Sequence, residues 1–252
     1  MTDLLDQLVA MSRAVGDPQL DAAILGEGNT SALEEDGSFW IKASGTSLGT
    51  MTRAQFVHLQ REQVLGLLDE EGVDEARLNA VYQAAKCDPG QSARPSVETV
   101  FHALLLGYPG VRFIAHTHPT AVNALTCSLG WPQVLEGRLC PDECVVLGPD
   151  SVFIPYIDPG VILARAIRDG VDAYARRHGA APKVIYMQNH GLVALGRSDR
   201  ECVNITHMAI KAARLRLGAL AAGGLKPLSE TVISGLLGRP DEQYRQRLLD
   251  GR

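Results

Sequence analysis

No stretch of this chain approaches the roughly 20 consecutive apolar residues that a membrane-spanning helix requires. The first residues, Met1-Thr2-Asp3-Leu4-Leu5-Asp6, also lack the positive-then-apolar order of a secretion signal. These two absences lead us to expect a cytoplasmic protein with no membrane partner. A basic surplus is missing as well. Lys and Arg number 24 against 29 Asp and Glu, giving a net charge of −5, and no basic run interleaved with aromatics occurs. A nucleic acid would feel no long-range attraction to such a chain, so none is expected as a partner. Cysteine is sparse and odd in number: Cys87, Cys127, Cys140, Cys144 and Cys202. Their irregular spacing, in a chain large enough to hold itself without covalent staples, reads as reduced and packed thiols. Cys140 and Cys144 lack a second pair at the interval that a structural zinc site needs. Finally, no Pro/Ser-rich linker interrupts the 252 residues. We expect one domain over residues 1–252, with a short helical extension from about residue 225.

Hydrophobic residues make up 46% of the chain and charged residues 21%, an ordinary globular balance. Leucines at helical spacing predict a helix over 3–15, stopped at Gly16-Asp17-Pro18. Leu25 to Ser31 reads as a glycine-punctuated turn, and Ser38 to Ser44 as a strand. Thr52-Arg53-Ala54-Gln55 matches a capping box and predicts a helix to about Glu70, followed by another from about Asp74 to Lys86. Pro95 suits the first turn of a helix whose buried stripe is Val97, Val100, Phe101, Leu104 and Leu105. Pro119 opens a helix toward Cys127. Further on, strands are expected near Cys144–Leu147 and Val152–Tyr156, then a helix over 159–178. Strands at Lys183–Gln188 and Leu192–Leu195 precede a helix from Ser198 to about Ala222, and short helices finish the chain. Strands broken up by helices without a strict βαβ rhythm predict a mixed or antiparallel sheet covered by helices.

Against this background stands His116-Thr117-His118-Pro119, directly after the apolar run Val111–Ala115. Imidazoles two residues apart at a strand end project from one face, because side chains alternate with a period of two. Both can then reach one metal ion. His190, on the sharp turn Asn189-His190-Gly191, would complete a three-nitrogen set. The carboxylate best placed to act as acid or base beside it is Glu98, in Arg94-Pro95-Ser96-Val97-Glu98. It is rotated about 100° from the apolar stripe of its helix and so is free to face a cleft. His58, His102, His178 and His207 read as ordinary surface or packed histidines. His102, four residues past Glu98, shares that helix face and stands where it could orient the carboxylate.

These pieces, with Gly28-Asn29-Thr30-Ser31, Lys42-Ala43-Ser44-Gly45-Thr46 and Pro155-Tyr156, occur in the order found in the class II aldolase/adducin family, which the chain resembles over roughly residues 5–220. The resemblance implies a three-layer α/β/α fold on a mostly antiparallel sheet and a homotetramer with active sites near subunit interfaces. It implies that His116, His118 and His190 are the metal ligands. Glu98 would be the catalytic acid/base, one that also touches the metal when no substrate is bound. Asn29, Ser44, Gly45 and Ser96 match positions that hold a substrate phosphate, with Gly28 and Lys42 shaping or charging that pocket. Tyr156 matches a tyrosine that the family brings across the interface as a proton donor. Three histidines suit Zn2+ first, with Mn2+, Co2+ or Fe2+ also able to occupy such a site.

Two features depart from the fuculose-phosphate aldolases. The second of the two serines before their glutamate is Val97 here, which removes one hydroxyl donor. The stretch from His118 to Tyr156 is also longer, and resembles the aldolase half of longer rhamnulose-phosphate aldolase/dehydrogenase fusions. The activity implied is metal-dependent retro-aldol cleavage of a ketose phosphate, or a related sugar-acid phosphate, through a metal-stabilised enediolate. A divalent cation chelated by the carbonyl and hydroxyl oxygens stabilises that charge by several kcal/mol. A decarboxylase or 4-epimerase on the same scaffold is the nearest enzymatic alternative. A noncatalytic interaction domain like that of adducin is the alternative of another class, against which the intact ligand set argues.

Overall fold

Leu4, Leu5, Leu8, Met11 and Val15 lie buried along one side of the first helix, α1 (Leu4–Val15). Asp3 caps it by accepting the Leu5 N–H at 3.1 Å, and Gly16 ends it, as the leucine spacing and the breaker predict. The computed structural model describes residues 3–249. The two residues before and the three after, which close the expected 1–252 span, lie outside the described residues. From α1 the chain runs through β1 (Asn29–Leu33), β2 (Ser38–Lys42), β3 (Phe56–Gln60), α2 (Arg61–Leu65), α3 (Glu75–Ala84), α4 (Thr99–Leu105) and β4 (Phe113–Thr117). It continues through α5 (Thr120–Thr126), α6 (Pro141–Leu147), β5 (Val152–Ile154), α7 (Val161–His178), β6 (Val184–Met187) and β7 (Gly191–Gly196). The last elements are α8 (Asp199–Ala221), α9 (Glu230–Leu237) and α10 (Pro240–Leu249). Among the described residues no helix is long and apolar enough to cross a membrane.

Seven strands among the described residues form one open sheet in the order β3-β2-β1-β4-β7-β6-β5. Every pairing is antiparallel except that of β5 with β6. Alternation along each strand divides the core in two. Ile114, Val193 and Leu195 face the helices α2, α3, α4 and α7, whereas Phe113, Ala115, Leu192 and Ala194 face α1, α5, α6 and α8. The three-layer α/β/α architecture and the mostly antiparallel sheet are therefore as expected. On this pattern His116, two residues past Ile114, points into the α4 layer.

Four local expectations are corrected. The capping box at Thr52 is present, with the Thr52 N–H donating to Gln55 Oε1 at 2.8 Å, but it opens a single 3-10 turn at Arg53–Gln55 rather than a helix to Glu70. Phe56, Val57 and Leu59 alternate between the two core faces, and pairing with β2 overrides helix propensity there. The strand expected near Cys144–Leu147 is instead the helix α6, begun by Pro141 with Asp142 and Glu143 in its first turn. The Pro95 helix begins only at Thr99, because Ala43 and Pro95 form an isolated antiparallel bridge. Lastly, the turn read over Leu25–Ser31 gives way at Asn29 to β1, an interior strand of the sheet.

The long segment between His118 and Tyr156 is pinned to α8 by buried charge. Arg216 Nη1 lies 2.8 Å from Glu143 Oε1, and both side chains are 1% exposed. Arg138, also buried, donates to the carbonyls of Leu147 and Gly148 at 3.1 and 2.8 Å and to Ser151 Oγ at 3.0 Å. The helices α9 and α10 pack on α6.

Candidate metal centre

Three neighbouring strands bring the site together. Asn29, the first residue of β1, pairs with His116 of β4, and on the other side His116 pairs with Val193 of β7. The turn between β6 and β7 thereby sets His190 beside the end of β4. Asn189 takes a left-handed φ of 53° in that turn, and Gly191 lies so close that a Cβ would sit 2.4 Å from the Thr117 carbonyl oxygen. Gly28, with φ +64°, is equally constrained, since a Cβ there would lie 2.5 Å from the His116 carbonyl oxygen.

The three imidazoles converge. Their ligating nitrogens lie within 4.8 Å of one another, and His116 Nε2 and His118 Nε2 are 3.0 Å apart. His116 Nδ1 is 2.9 Å from the Leu192 carbonyl oxygen, which fixes the proton on Nδ1 and leaves the Nε2 lone pair free. Burial pushes His118 down to about 3 and lowers His116 too, so both rings stay neutral, the form a metal needs. The Asn123 side-chain amide donates to the His190 carbonyl at 3.1 Å and holds the turn; nothing in the sequence singled Asn123 out.

Glu98 occupies the N-cap position of α4 and is 6% exposed. Its Oε2 lies 3.3 Å from His116 Nε2 and its Oε1 lies 3.1 Å from His190 Nε2. Burial opposes its ionisation, while the neighbouring His190 and the hydrogen bond from the Asn29 amide favour it, and the carboxyl lies below the ordinary range. Oε1 is buried and, apart from the approach of His190 Nε2, has no hydrogen-bond partner. A buried carboxylate beside three converging imidazole nitrogens is a donor set that fits a divalent cation.

Asn29 and Ser96 join this group. Asn29 Nδ2 donates to Ser96 Oγ at 3.0 Å and to Glu98 Oε2 at 2.6 Å. The Ser44-Gly45 turn follows β2 and is tied to the Ser96 segment through backbone: Ser44 N donates to Arg94 O at 2.8 Å, and Ser96 N donates to Lys42 O at 3.3 Å. Ser44 and Gly45 are exposed, whereas Lys42 is buried, with Nζ donating to the Gly26 carbonyl at 3.1 Å. Val97 takes the place of a second serine and is 54% exposed. Tyr156 stands apart within one chain. It is exposed, and its hydroxyl donates to Asp158 Oδ1 at 2.8 Å rather than to any residue of the cluster. Ser31, read only as part of a turn, is buried against His102, with its Oγ 2.7 Å from Nδ1. His102 is packed in full, as read, but every polar atom of its ring is engaged.

Comparison with known proteins bears on this geometry. The family model described as the class II aldolase and adducin N-terminal domain matches residues 6–217. The N-terminal class II aldolase domain of a conserved protein from Thermoplasma acidophilum has a TM-score of 0.68 at 26% identity, over 86% of this chain and 95% of that one. The L-fuculose-1-phosphate aldolase of Thermus thermophilus has a TM-score of 0.59 at 20% identity, over 89% of this chain and 100% of that one, a likeness of fold. A curated relative, the uncharacterized oxidoreductase YuxG of Bacillus subtilis (strain 168), is 26% identical over 217 residues. That match takes in 83% of this chain and 29% of YuxG, so the chain spans less than a third of that relative's length. A family match that begins inside α1 and ends inside α8 contains every described strand and all the residues gathered at the site: the chain belongs to the class II aldolase/adducin family.

Proposed function

We propose that this protein is a divalent-metal-dependent aldehyde-lyase that splits a ketose phosphate, or a related sugar-acid phosphate, into an aldehyde and a shorter fragment. The observation that carries the reading is the Glu98 carboxylate, buried 3.1 and 3.3 Å from two of three converging imidazole nitrogens. His116, His118 and His190 would hold the ion, with zinc the first choice for a three-histidine set. When bound there, a divalent ion supplies positive charge for the oxygen that becomes negative as the carbon–carbon bond breaks.

The chain's own groups then divide the remaining work. Glu98, kept ionised, takes the proton from the reacting carbon in the synthetic direction and returns it in the cleavage direction. Ser44, Gly45 and Ser96 receive the substrate's phosphate, and Lys42 charges that end of the site. Asn29 stands between this anion-binding set and the base. Tyr156, exposed in one chain, would serve as a proton donor in the site of a neighbouring subunit, which calls for the homotetramer that the family resemblance implies. The span 1–252 is proposed to work as one domain, in the cytoplasm.

The test is to reconstitute the protein with zinc and screen a small panel of ketose and sugar-acid phosphates for aldehyde release. Loss of carbon dioxide, or inversion without fragments, would replace the lyase reading by a decarboxylase or an epimerase. Glu98→Gln should keep the metal and lose about 10²–10⁴-fold in proton exchange at the substrate carbon. His116→Ala should lose both metal and activity. Native-rate exchange in Glu98→Gln would show that another group is the base.

A further inference from the structure

Ser31 and His102 are buried polar residues with no part in the chemistry above, and together with Asn29, which donates to Glu98, they form hydrogen bonds that admit only one direction. Asn29 spends both amide hydrogens, on Ser96 Oγ at 3.0 Å and on Glu98 Oε2 at 2.6 Å. The opposite amide orientation would set Asn29 Oδ1 against a carboxylate oxygen, acceptor facing acceptor. Asn29 Oδ1 is therefore an acceptor, and it meets His102 Nε2, which must carry the ring hydrogen. A neutral imidazole has one N–H, so Nδ1 is bare and accepts from the Ser31 hydroxyl at 2.7 Å. Burial keeps the ring neutral by pushing His102 down to about 3. The backbone supports the same arrangement: Asn29 and Ser31 alternate onto one face of β1, and His102 lies one helical turn past Glu98 on α4.

We infer that Ser31, His102 and Asn29 form a one-way hydrogen-bond relay, Ser31 to His102 to Asn29 to Glu98, that aims the Glu98 carboxylate at the histidine cluster. His102 is thus a positioning residue. Asn29, with both hydrogens committed, serves the base rather than the phosphate that its place in the family pattern suggests. Only the kinetic consequence rests on the proposed lyase activity; the relay itself does not.

The deciding measurement is a long-range proton–nitrogen correlation spectrum of histidine-labelled, zinc-loaded full-length protein, with the His102 signals assigned by their loss in His102→Gln. The relay requires a protonated Nε2 and a bare Nδ1; a proton on Nδ1 overturns it. Two variants then read the consequence. His102→Gln keeps an N–H donor near the Nε2 position, whereas His102→Leu removes it. His102→Leu should lower kcat by about 10–100-fold at unchanged zinc content and KM, the usual cost of losing an outer partner of a metal site, and His102→Gln should recover most of that loss. Equal impairment of both variants overturns the positioning role. If the wild-type protein cleaves no substrate in the panel, the lyase reading has failed while the spectrum still decides the relay. If His102→Leu does not fold, the spectrum of the wild-type protein decides alone.

Discussion

Lys42 shows how a single residue ties the site to pH. It is 2% exposed, and burial draws its ammonium down to about 8 against the opposing pull of Glu98. In an unfolded chain the same group keeps its proton to about 10.4. Between these values the unfolded state binds more protons, so this residue's contribution to stability rises as pH climbs from about 8 toward 10. The anion-binding role proposed for it runs the other way. Inorganic phosphate affinity should fall about tenfold between pH 7 and pH 9 as the charge is lost, and Lys42→Met should flatten that slope; calorimetric titration at both pH values checks it. The histidines that converge on the candidate site were legible because their spacing is specific, His116 and His118 two apart on a strand and His190 in a glycine turn; Glu98 was singled out by its place off a helical stripe, whereas it stands at the N-cap of α4 and Val97 of that stripe is exposed. Ser31 and Asn123 were not, since a serine beside a turn or an asparagine in a short helix gives no local sign of what a distant strand will bring to it.

At the scale of elements, turns set how closely strands carry the ligands to one another. Gly191 has no room for a side chain, since a Cβ would meet the Thr117 carbonyl at 2.4 Å and His118 Cδ2 at 2.8 Å. Gly191→Ala should cost about 1–3 kcal/mol by overpacking and also weaken the proposed zinc binding, because the strain falls on His118. Urea midpoints together with chelator competition separate the two effects. The helices α1 and α8, with side-chain N-caps at Asp3 and Ser198, and α7, ended by a left-handed Gly179, were readable from sequence. The strand β3 was not, because a genuine capping box at Thr52 stands directly before it and only pairing with β2 decides that the chain continues extended. The helix α6 was missed for the converse reason: Cys144, Val145, Val146 and Leu147 form a short apolar run, on which strand and helix signals coincide.

Over the whole molecule, stability depends on charges held far from water. Glu143 is 1% exposed and lies 2.8 Å from Arg216 and 3.9 Å from Arg138. Arg216→Met should strand that carboxylate and lower stability by about 3–5 kcal/mol, whereas Arg216→Met combined with Glu143→Leu should recover much of the loss. Denaturant melts of the single and double variants test this. The fold class was legible from the rhythm of strands and helices, but the strand order was not, since it depends on pairings between residues distant in sequence, such as Asn29 with His116. That register has a kinetic consequence. Because β1, which brings Asn29 to Glu98, must be paired with β4 and β4 with β7 before Glu98, His116 and His190 share one space, tight capture of the proposed zinc ion would be a late event that reports a finished sheet. In refolding experiments, zinc uptake should lag behind the recovery of secondary structure; uptake that keeps pace with the earliest helix signal would mean that the cation gathers the strands instead of rewarding their assembly.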